Sequence, residues 1–330
     1  MPIPSNGSGK LNTLQYATLL QTSLDEAAVR DMVTGWMDAN AGQVKYTGGA
    51  EVRIPTLTTQ GMGNYDRDGG YASGSVNLSW TTYTMTQDRG RKFQLDAMDV
   101  DETAFVATAA AVMGDFQRQH VAPEIDAYRL SKLAQYAIGA DNAATNGTGM
   151  VSYGNAIAAA ASSNVAASVL RAIKTGIMKI RDQGYNGDLV CHIIDAALME
   201  LELELAGKIQ SVTFSAGGIN TTVPSVDMVP LLATPANRMV TQIEILDGTT
   251  SGKEAGGFAK ASAGKDINFI ILPRRTPIAI TKQDKMRIFD PDTNQKANAW
   301  AMDYRRYHDL WVLSNQVGSI YVNVKDAKSA

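Results

Sequence analysis

Residues 44–93 constrain this chain more than any other stretch, because they read as two long polar strands joined by a glycine-rich tip. The first arm, 44–57, is broken only by Gly48-Gly49 and Pro55. The second, 75–93, carries Val76, Leu78, Trp80, Tyr83 and Met85 among threonines and serines. Between them Gly61, Gly63, Gly69, Gly70 and Gly74 supply the φ freedom that tight turning needs. Each arm would run about 13 residues, and at ~3.3 Å per residue it would reach ~40 Å. A compact chain of 330 residues has a radius of gyration of only ~20 Å, so the hairpin must project beyond the body. A lone two-stranded ribbon is marginal in water, so a neighbouring subunit is expected beneath it.

Composition narrows the class. With 45% hydrophobic and 19% charged residues the chain can bury a sizeable core, and its length allows two domains. A formal net charge of −3 argues against a sequence-specific nucleic-acid reader, which normally shows a basic patch. The one cysteine, Cys191, permits no internal disulfide and fits a reducing compartment. Met1-Pro2-Ile3-Pro4-Ser5 lacks the basic and apolar regions of a signal peptide. No run approaches the ~18 apolar residues of a membrane span, so no membrane partner is expected.

Residues 1–40 read as an arm, a polar lead followed by a short helical stretch through Leu14, Leu24, Val29, Met32, Val33 and Trp36. After the hairpin, Asp101 is the expected N-cap of the best helix, with Glu102 in its first turn. Phe105, Ala109, Val112, Met113 and Phe116 recur at three- and four-residue spacing. Pro123 is expected to kink or divide this spine of roughly 35 residues before Ile125, Tyr128 and Leu133 resume the pattern. Residues 139–164, rich in Ala, Asn, Gly, Thr and Ser, read as a linker or surface loop.

A compact α/β unit follows. It has an amphipathic helix over 165–183 stopped by Gly184, a strand over 188–194, and a helix capped by Asp195. Strands punctuated by Pro224, Pro230, Pro235 and Gly248 come next, then stronger ones at 266–272 and 277–281. The C-terminal part alternates again at 286–289, 300–313 and 320–324, with a turn at Asp290-Pro291-Asp292. The class is α+β, with a spine helix, a projecting hairpin and a separable α/β lobe.

Each candidate for chemistry fails a stated test. His120, His192 and His308 have no second ligand at i+3 or i+4, so no metal motif forms and all three read as polar or packed imidazoles. Asp290-Pro291-Asp292-Thr293-Asn294 opens like a calcium loop, but the sixth position is Gln295 and the twelfth Ala301. Gly9-Lys10 and Gly264-Lys265 lack both the following hydroxyl and the leading glycine of a phosphate loop. Gly61-Met62-Gly63 is too short for a dinucleotide fingerprint, and no G-x-S-x-G occurs. Cys191 and His192 are neighbours on one apolar strand and so point to opposite faces, which makes the thiol structural. Glu200, Glu202 and Glu204 read as a solvated helix face. No catalytic, cofactor or metal residue is assigned.

Charges cluster at both ends of the hairpin. Asp66, Arg67 and Asp68 sit at its tip, and Arg89, Arg91 and Lys92 where it re-enters the body. These six are the candidate intersubunit contacts, each ion pair contributing under ~1 kcal/mol but repeated over many copies.

Residues 286–295, Met-Arg-Ile-Phe-Asp-Pro-Asp-Thr-Asn-Gln, are followed by Trp300 and by Asp303-Tyr304-Arg305-Arg306-Tyr307-His308-Asp309-Leu310-Trp311-Val312. This pattern resembles the C-terminal strands of tailed-bacteriophage major capsid proteins. Val229-Pro230-Leu231-Leu232 with Pro235-Ala236-Asn237-Arg238-Met239 resembles a peripheral strand and loop of the same group. The order of elements then resembles the Hong Kong 97-type capsid fold along nearly the whole chain. That resemblance implies an N-terminal arm at 1–43 and an extended β-hairpin loop at 44–93. It implies a peripheral domain with the spine helix at 94–149 and C-terminal strands at 282–330, and an axial α/β domain at 150–281.

The resemblance also implies a shell subunit, not an enzyme, with no cofactor. Its partners would be many copies of itself, as hexamers and pentamers of an icosahedral head, with portal, scaffolding and decoration proteins. Packaged double-stranded DNA would be touched without sequence readout. The protein would sit in the virion after assembly in the host bacterial cytoplasm. Some members of the group crosslink a lysine of the extended loop to a neighbour's asparagine. Residues 57–75 contain no lysine, and Lys45 and Lys92 lie at the hairpin base, so a noncovalent overlap is expected here. Other members begin with a scaffolding-like segment that is cleaved off, and this chain is expected to use a separate scaffolding protein or none. The alternatives are an encapsulin-type compartment of the same fold and, further off, a soluble α/β enzyme or a tail-tube subunit.

Overall fold

Strands that are mostly apolar with no solvated face need cover on both sides, and the chain builds its larger lobe around two of them. The structure is a computed structural model that describes residues 32–43, 45–46, 50–96, 98, 109–144, 147–155, 168–205, 207–216, 219–294 and 296–328. The helical stretch expected before residue 32 and the Asp101 cap lie outside the described residues.

The chain runs from a 3-10 helix, Gly35–Gln43, into strands β1 (Lys45–Tyr46), β2 (Glu51–Thr59), β3 (Val76–Thr84) and β4 (Gln87–Asp96). Helices α1 (Ala109–Phe116) and α2 (Ala122–Ala143) follow, joined by a π turn at Gln117–Val121. Next come β5 (Val151–Ser152), α3 (Val169–Asp182), β6 (Leu189–Ile194) and α4 (Asp195–Glu204). After them run β7 (Gln210–Ala216), β8 (Ile219–Val226), β9 (Val229–Thr234), β10 (Ile243–Leu246), β11 (Gly257–Lys260) and β12 (Ile267–Pro273). The long pair β13 (Pro277–Phe289) and β14 (Ala299–Val312) precedes β15 (Tyr321–Val324).

β6 and β12 are buried at every position and lie side by side within the sheet β5-β15-β12-β6-β9-β8-β7. α3 buries Val169, Ile173, Gly176, Ile177 and Ile180. A Cβ on Gly176 would come within 2.6 Å of the Tyr321 ring and 2.9 Å of Ile271, so only glycine lets the helix approach so closely. Gly184, at φ 89°, follows the helix as expected. Two readings are corrected here. Asp195 is the first residue of α4 and makes no capping bond, because Ile194 occupies the cap position. Glu204 is no idle solvated side chain. It accepts from the Val169 and Leu170 N–H groups at 2.9 and 3.0 Å, while the Ser168 hydroxyl accepts from Arg171 N–H at 3.1 Å.

The second lobe rests on the sheet β13-β14-β4. The sequence suggested separate strands at 277–281 and 286–289. They are one strand, because a bulge between Thr281 and Gln283 absorbs Lys282 and keeps the register with β14. After β14 the chain leaves this sheet, and β15 pairs with β12 in the larger one, so the chain crosses between lobes there.

Pro123 does divide the spine, by a gentler device than a break. The π turn Gln117–Val121 lies directly before it, where the proline's missing N–H and its ring clash with the Gln119 carbonyl would otherwise disrupt the ladder. α2 then runs to Ala143, past the expected linker start at 139. Its buried face carries charges among the apolar side chains. The Asp126 carboxylate accepts from the Val33 and Thr34 N–H groups, both at 3.0 Å, and from Arg238 at 2.8 Å. The fully buried Arg129 donates to Asp38 at 2.7 Å and to the Thr34 carbonyl at 3.0 Å. One turn further, Lys132 pairs with the buried Asp309 of β14. The helix therefore holds three other segments by charge-assisted bonds, beside the apolar stripe of Ile125, Leu130, Leu133, Ala134 and Ala137 that it buries in the core.

His192 and His308 are packed imidazoles, as read. Trp36 Nε1–H donates to His192 Nε2 at 3.2 Å, which leaves the Nδ1–H facing the Thr234 hydroxyl at 3.3 Å. Burial pulls the His192 pKa from 6.5 to about 3. His308 is lowered too, by burial and then by Arg306, Arg129, Lys132 and Arg89. Between the folded and unfolded values the unfolded chain binds protons that the folded chain does not. Stability therefore falls as the pH drops below about 6.5, by ~1.4 kcal/mol per unit for each group. Thermal melts should show a lower melting temperature at about pH 5 than at pH 7. Equal values would contradict neutral burial of these rings.

Candidate assembly surface

The hairpin differs from the expected pair of 13-residue arms. In the first arm β1 folds back on β2, pairing Lys45 with Arg53, so the ribbon proper starts at Glu51. The second arm is two strands. β3 pairs with β2 from Thr84 opposite Glu51 to Val76 opposite Thr59, whereas β4 lies in the body beside β14. At ~3.3 Å per residue the nine-residue ribbon spans about 30 Å.

Met85 and Thr86 make the break. Met85 is buried, its N–H donates to the Ala50 carbonyl at 2.9 Å, and its carbonyl accepts from Tyr307 at 3.0 Å. The Asp309 carboxylate accepts from the Thr86 N–H at 2.9 Å, the Thr86 hydroxyl at 3.0 Å and the Tyr128 hydroxyl at 2.7 Å, besides its pair with Lys132. Burial, then the Asp309 charge, pushes the Tyr128 phenol up, so it stays a donor. One buried carboxylate thus fixes the ribbon's root to the spine helix. Nothing in the sequence pattern pointed to it.

Register divides the ribbon into two faces. On one, Val52 and Ile54 are buried at the base against Ile278, Ile280, Trp311 and Leu313, with Tyr83 packed on them. That face then turns polar through Thr56, Thr58, Asn77, Ser79 and Thr81. The opposite face pairs Pro55 with Trp80, Leu57 with Leu78 and Thr59 with Val76. Its large side chains are open to solvent: Leu57 59%, Leu78 54%, Val76 69% and Trp80 47%. The apolar surface changes sides along the ribbon, so the distal stripe faces away from the side that grips its own body.

At the tip Asp66, Arg67 and Asp68 are exposed within a turn closed by bonds between Asp66 and Gly70. At the root the structure separates the other three. Arg89 pairs with Glu124 at 2.6 Å and reaches the Leu246 carbonyl at 2.8 Å, so it serves its own chain. Arg91 is exposed and reaches the Glu254 carbonyl at 3.4 Å. Lys92, on the alternate face of β4, is exposed and lies opposite Asp303. Arg89, Arg91 and Phe93 line a cavity of about 360 Å³ between β4, the α1–π turn segment and the β10–β11 connection.

Other candidates stay apart from this surface. Among the described residues no group of three or more His, Cys, Asp or Glu side chains could hold a metal. Asp290 accepts from the Thr293 and Asn294 N–H groups in a plain turn. Cys191 is buried and burial pushes its thiol up, away from nucleophilic chemistry. No helix among the described residues is long and apolar enough to cross a membrane.

No protein-family model and no curated protein matches the sequence. Solved structures do match its architecture. The bacteriophage PhiM1 mature capsid aligns with a TM-score of 0.51 at 14% identity, over 84% of this chain and 82% of that one. The capsid of cyanophage P-SCSP1u aligns with a TM-score of 0.51 at 14% identity, over 86% of each chain. The chain has a phage-capsid fold. A structure from Mycobacterium phage Cain aligns over 98% of this chain and 100% of that one, with a TM-score of 0.50 at 12% identity. Identities this low mean that the capsid fold is shared while few side chains are. The hairpin's exposed stripe and the Asp309 anchor are therefore read from this chain's own residues.

Proposed function

We propose that this protein is a major shell subunit of a tailed-phage head. Copies ring into hexamers and pentamers through the lobe of the seven-stranded sheet, here the axial domain, and close an icosahedral particle around double-stranded DNA. The lobe of β13, β14, β4 and the spine helix is the peripheral domain. The ribbon is the extended loop, and it overlaps a neighbour without covalent linkage, since residues 57–75 hold no lysine. Portal, scaffolding and decoration proteins join the same particle. Contact with DNA is nonspecific, as a net charge of −3 allows. The subunit performs no catalysis.

One observation carries this reading. The distal ribbon exposes Leu57, Leu78, Val76 and Trp80 on the face its own body does not cover. A two-stranded ribbon with an open apolar face gains stability only by burying it, at ~1.5–3 kcal/mol for each large side chain. Sedimentation of the purified protein tests the proposal. A megadalton species is expected, and a monomer in all conditions would refute it.

A further inference from the structure

The tip of the ribbon is a preformed aromatic knob. Asp66 N–H donates to the Gly70 carbonyl at 3.1 Å, Gly70 N–H donates to the Asp66 carbonyl at 2.8 Å, and the Asp66 carboxylate accepts from Asp68 N–H at 3.2 Å. Gly70 adopts φ 75°, a conformation that favours glycine. This turn closes Tyr65 against Tyr71 with ring centroids 5.0 Å apart. Both rings stay open to water, 62% and 89% exposed. Two rings held in one geometry yet left solvated add little to their own subunit. They have the anatomy of an interface anchor whose ordering cost is already met.

A matching hole lies at the root of the same ribbon. The walls of the 360 Å³ cavity include Phe93, Val112, Phe116 and Tyr304. Phe116 meets Phe93 and Tyr304 edge-on, at 4.9 and 6.0 Å between centroids. An apolar cavity of about 150 Å³ holds a benzene ring, so this one has room for two rings. Arg306 and His308 also line it. Both are at least nine-tenths buried.

The rim matches the knob in charge. Gly248 and Gly256 flank Arg91, where a Cβ on either would come within 3.0 or 3.3 Å of Nη1, so the glycines leave room for the guanidinium beside the cavity. Asp115 and Asp247 also line it. The knob's Asp66 and Asp68 suit Arg91, and its Arg67 suits the two acids.

We propose that the Tyr65–Tyr71 knob of one copy seats in the cavity over β4 of a second copy. The proposal rests on the shell-subunit reading and names the site that receives the hairpin. Each copy carries one knob and one hole on different surfaces. The contact is therefore head-to-tail and repeats from copy to copy, as ring closure requires.

The test uses the full chain with Asp68→Cys and Arg91→Cys together, the native Cys191 being buried. After mild oxidation, non-reducing gels of the sedimented particles should show a ladder of linked copies. Asp68→Cys alone and Asp68→Cys with Met228→Cys should stay monomeric on the same gels. In parallel, Tyr65→Ser with Tyr71→Ser should raise the concentration needed for assembly at least ~10-fold. Particles that form without a ladder would overturn the knob-and-hole contact while leaving the shell reading intact. A linked dimer from Asp68→Cys alone would mean tip-to-tip contact and also overturn it. Unlinked monomers under every condition would overturn both.

Discussion

Deleting residues 58–73 is expected to leave a folded subunit that no longer forms shells. The deletion joins Leu57 to Gly74, so the Leu57–Leu78 pair is closed by Gly74-Ser75-Val76-Asn77. A four-residue hairpin loop containing glycine is well within the usual range. Nearly every residue removed is exposed, so the subunit loses almost no core. Its melting temperature should shift by no more than a few degrees, the size of a ~1 kcal/mol change. What it loses is the tip with Tyr65 and Tyr71, while Leu57, Leu78 and Trp80 stay in the ribbon and Val76 passes into the new loop. Assembly that depends on several such contacts per copy should fall below detection, read as loss of the fast-sedimenting species. Normal shells from the shortened chain would show that the hairpin is not the clasp.

Asp309→Ala should produce the largest loss of stability from a single side chain. It strips the Lys132 ammonium, the Tyr128 hydroxyl and the Thr86 N–H of a common partner at a buried site. Breaking a buried pair by removing one member costs about 3–5 kcal/mol, and Lys132 keeps some access to water, which favours the lower end. A fall in melting temperature of at least about 6 °C is expected in thermal denaturation. Lys132→Met added to Asp309→Ala should recover part of it, since the second change removes the orphaned charge. An Asp309→Ala protein that melts like the parent would mean that the ribbon root is held by its apolar cluster alone.

Local elements were legible where one force decides them. The amphipathic spacing of Val169, Ile173, Ile177 and Ile180, with Gly184 after it, reads as a helix because burial and backbone freedom agree. The mostly apolar β6 is legible for the same reason. The hairpin was legible as a projecting ribbon but not in its length. The break at Met85-Thr86 depends on Asp309, more than 220 positions away, and alternation cannot signal a partner so distant. The charged face of α2 was missed likewise. Asp126, Arg129 and Lys132 look like a solvated face until their partners at Thr34, Asp38 and Asp309 fold over them.

Of the six charges singled out at the hairpin ends, the sequence could place the tip trio in one turn. It could not distinguish Arg89, held within the chain by Glu124, from Arg91 and Lys92, which face outward. The apolar stripe was visible residue by residue. That it lies on the face opposite to the one gripping the body follows only from the register of β2 against β3.

The shell proposal is tested most directly by electron microscopy of the purified full-length protein. Closed icosahedral particles built from this chain are the expected result. Monodisperse single subunits across protein concentrations and salt conditions would contradict it.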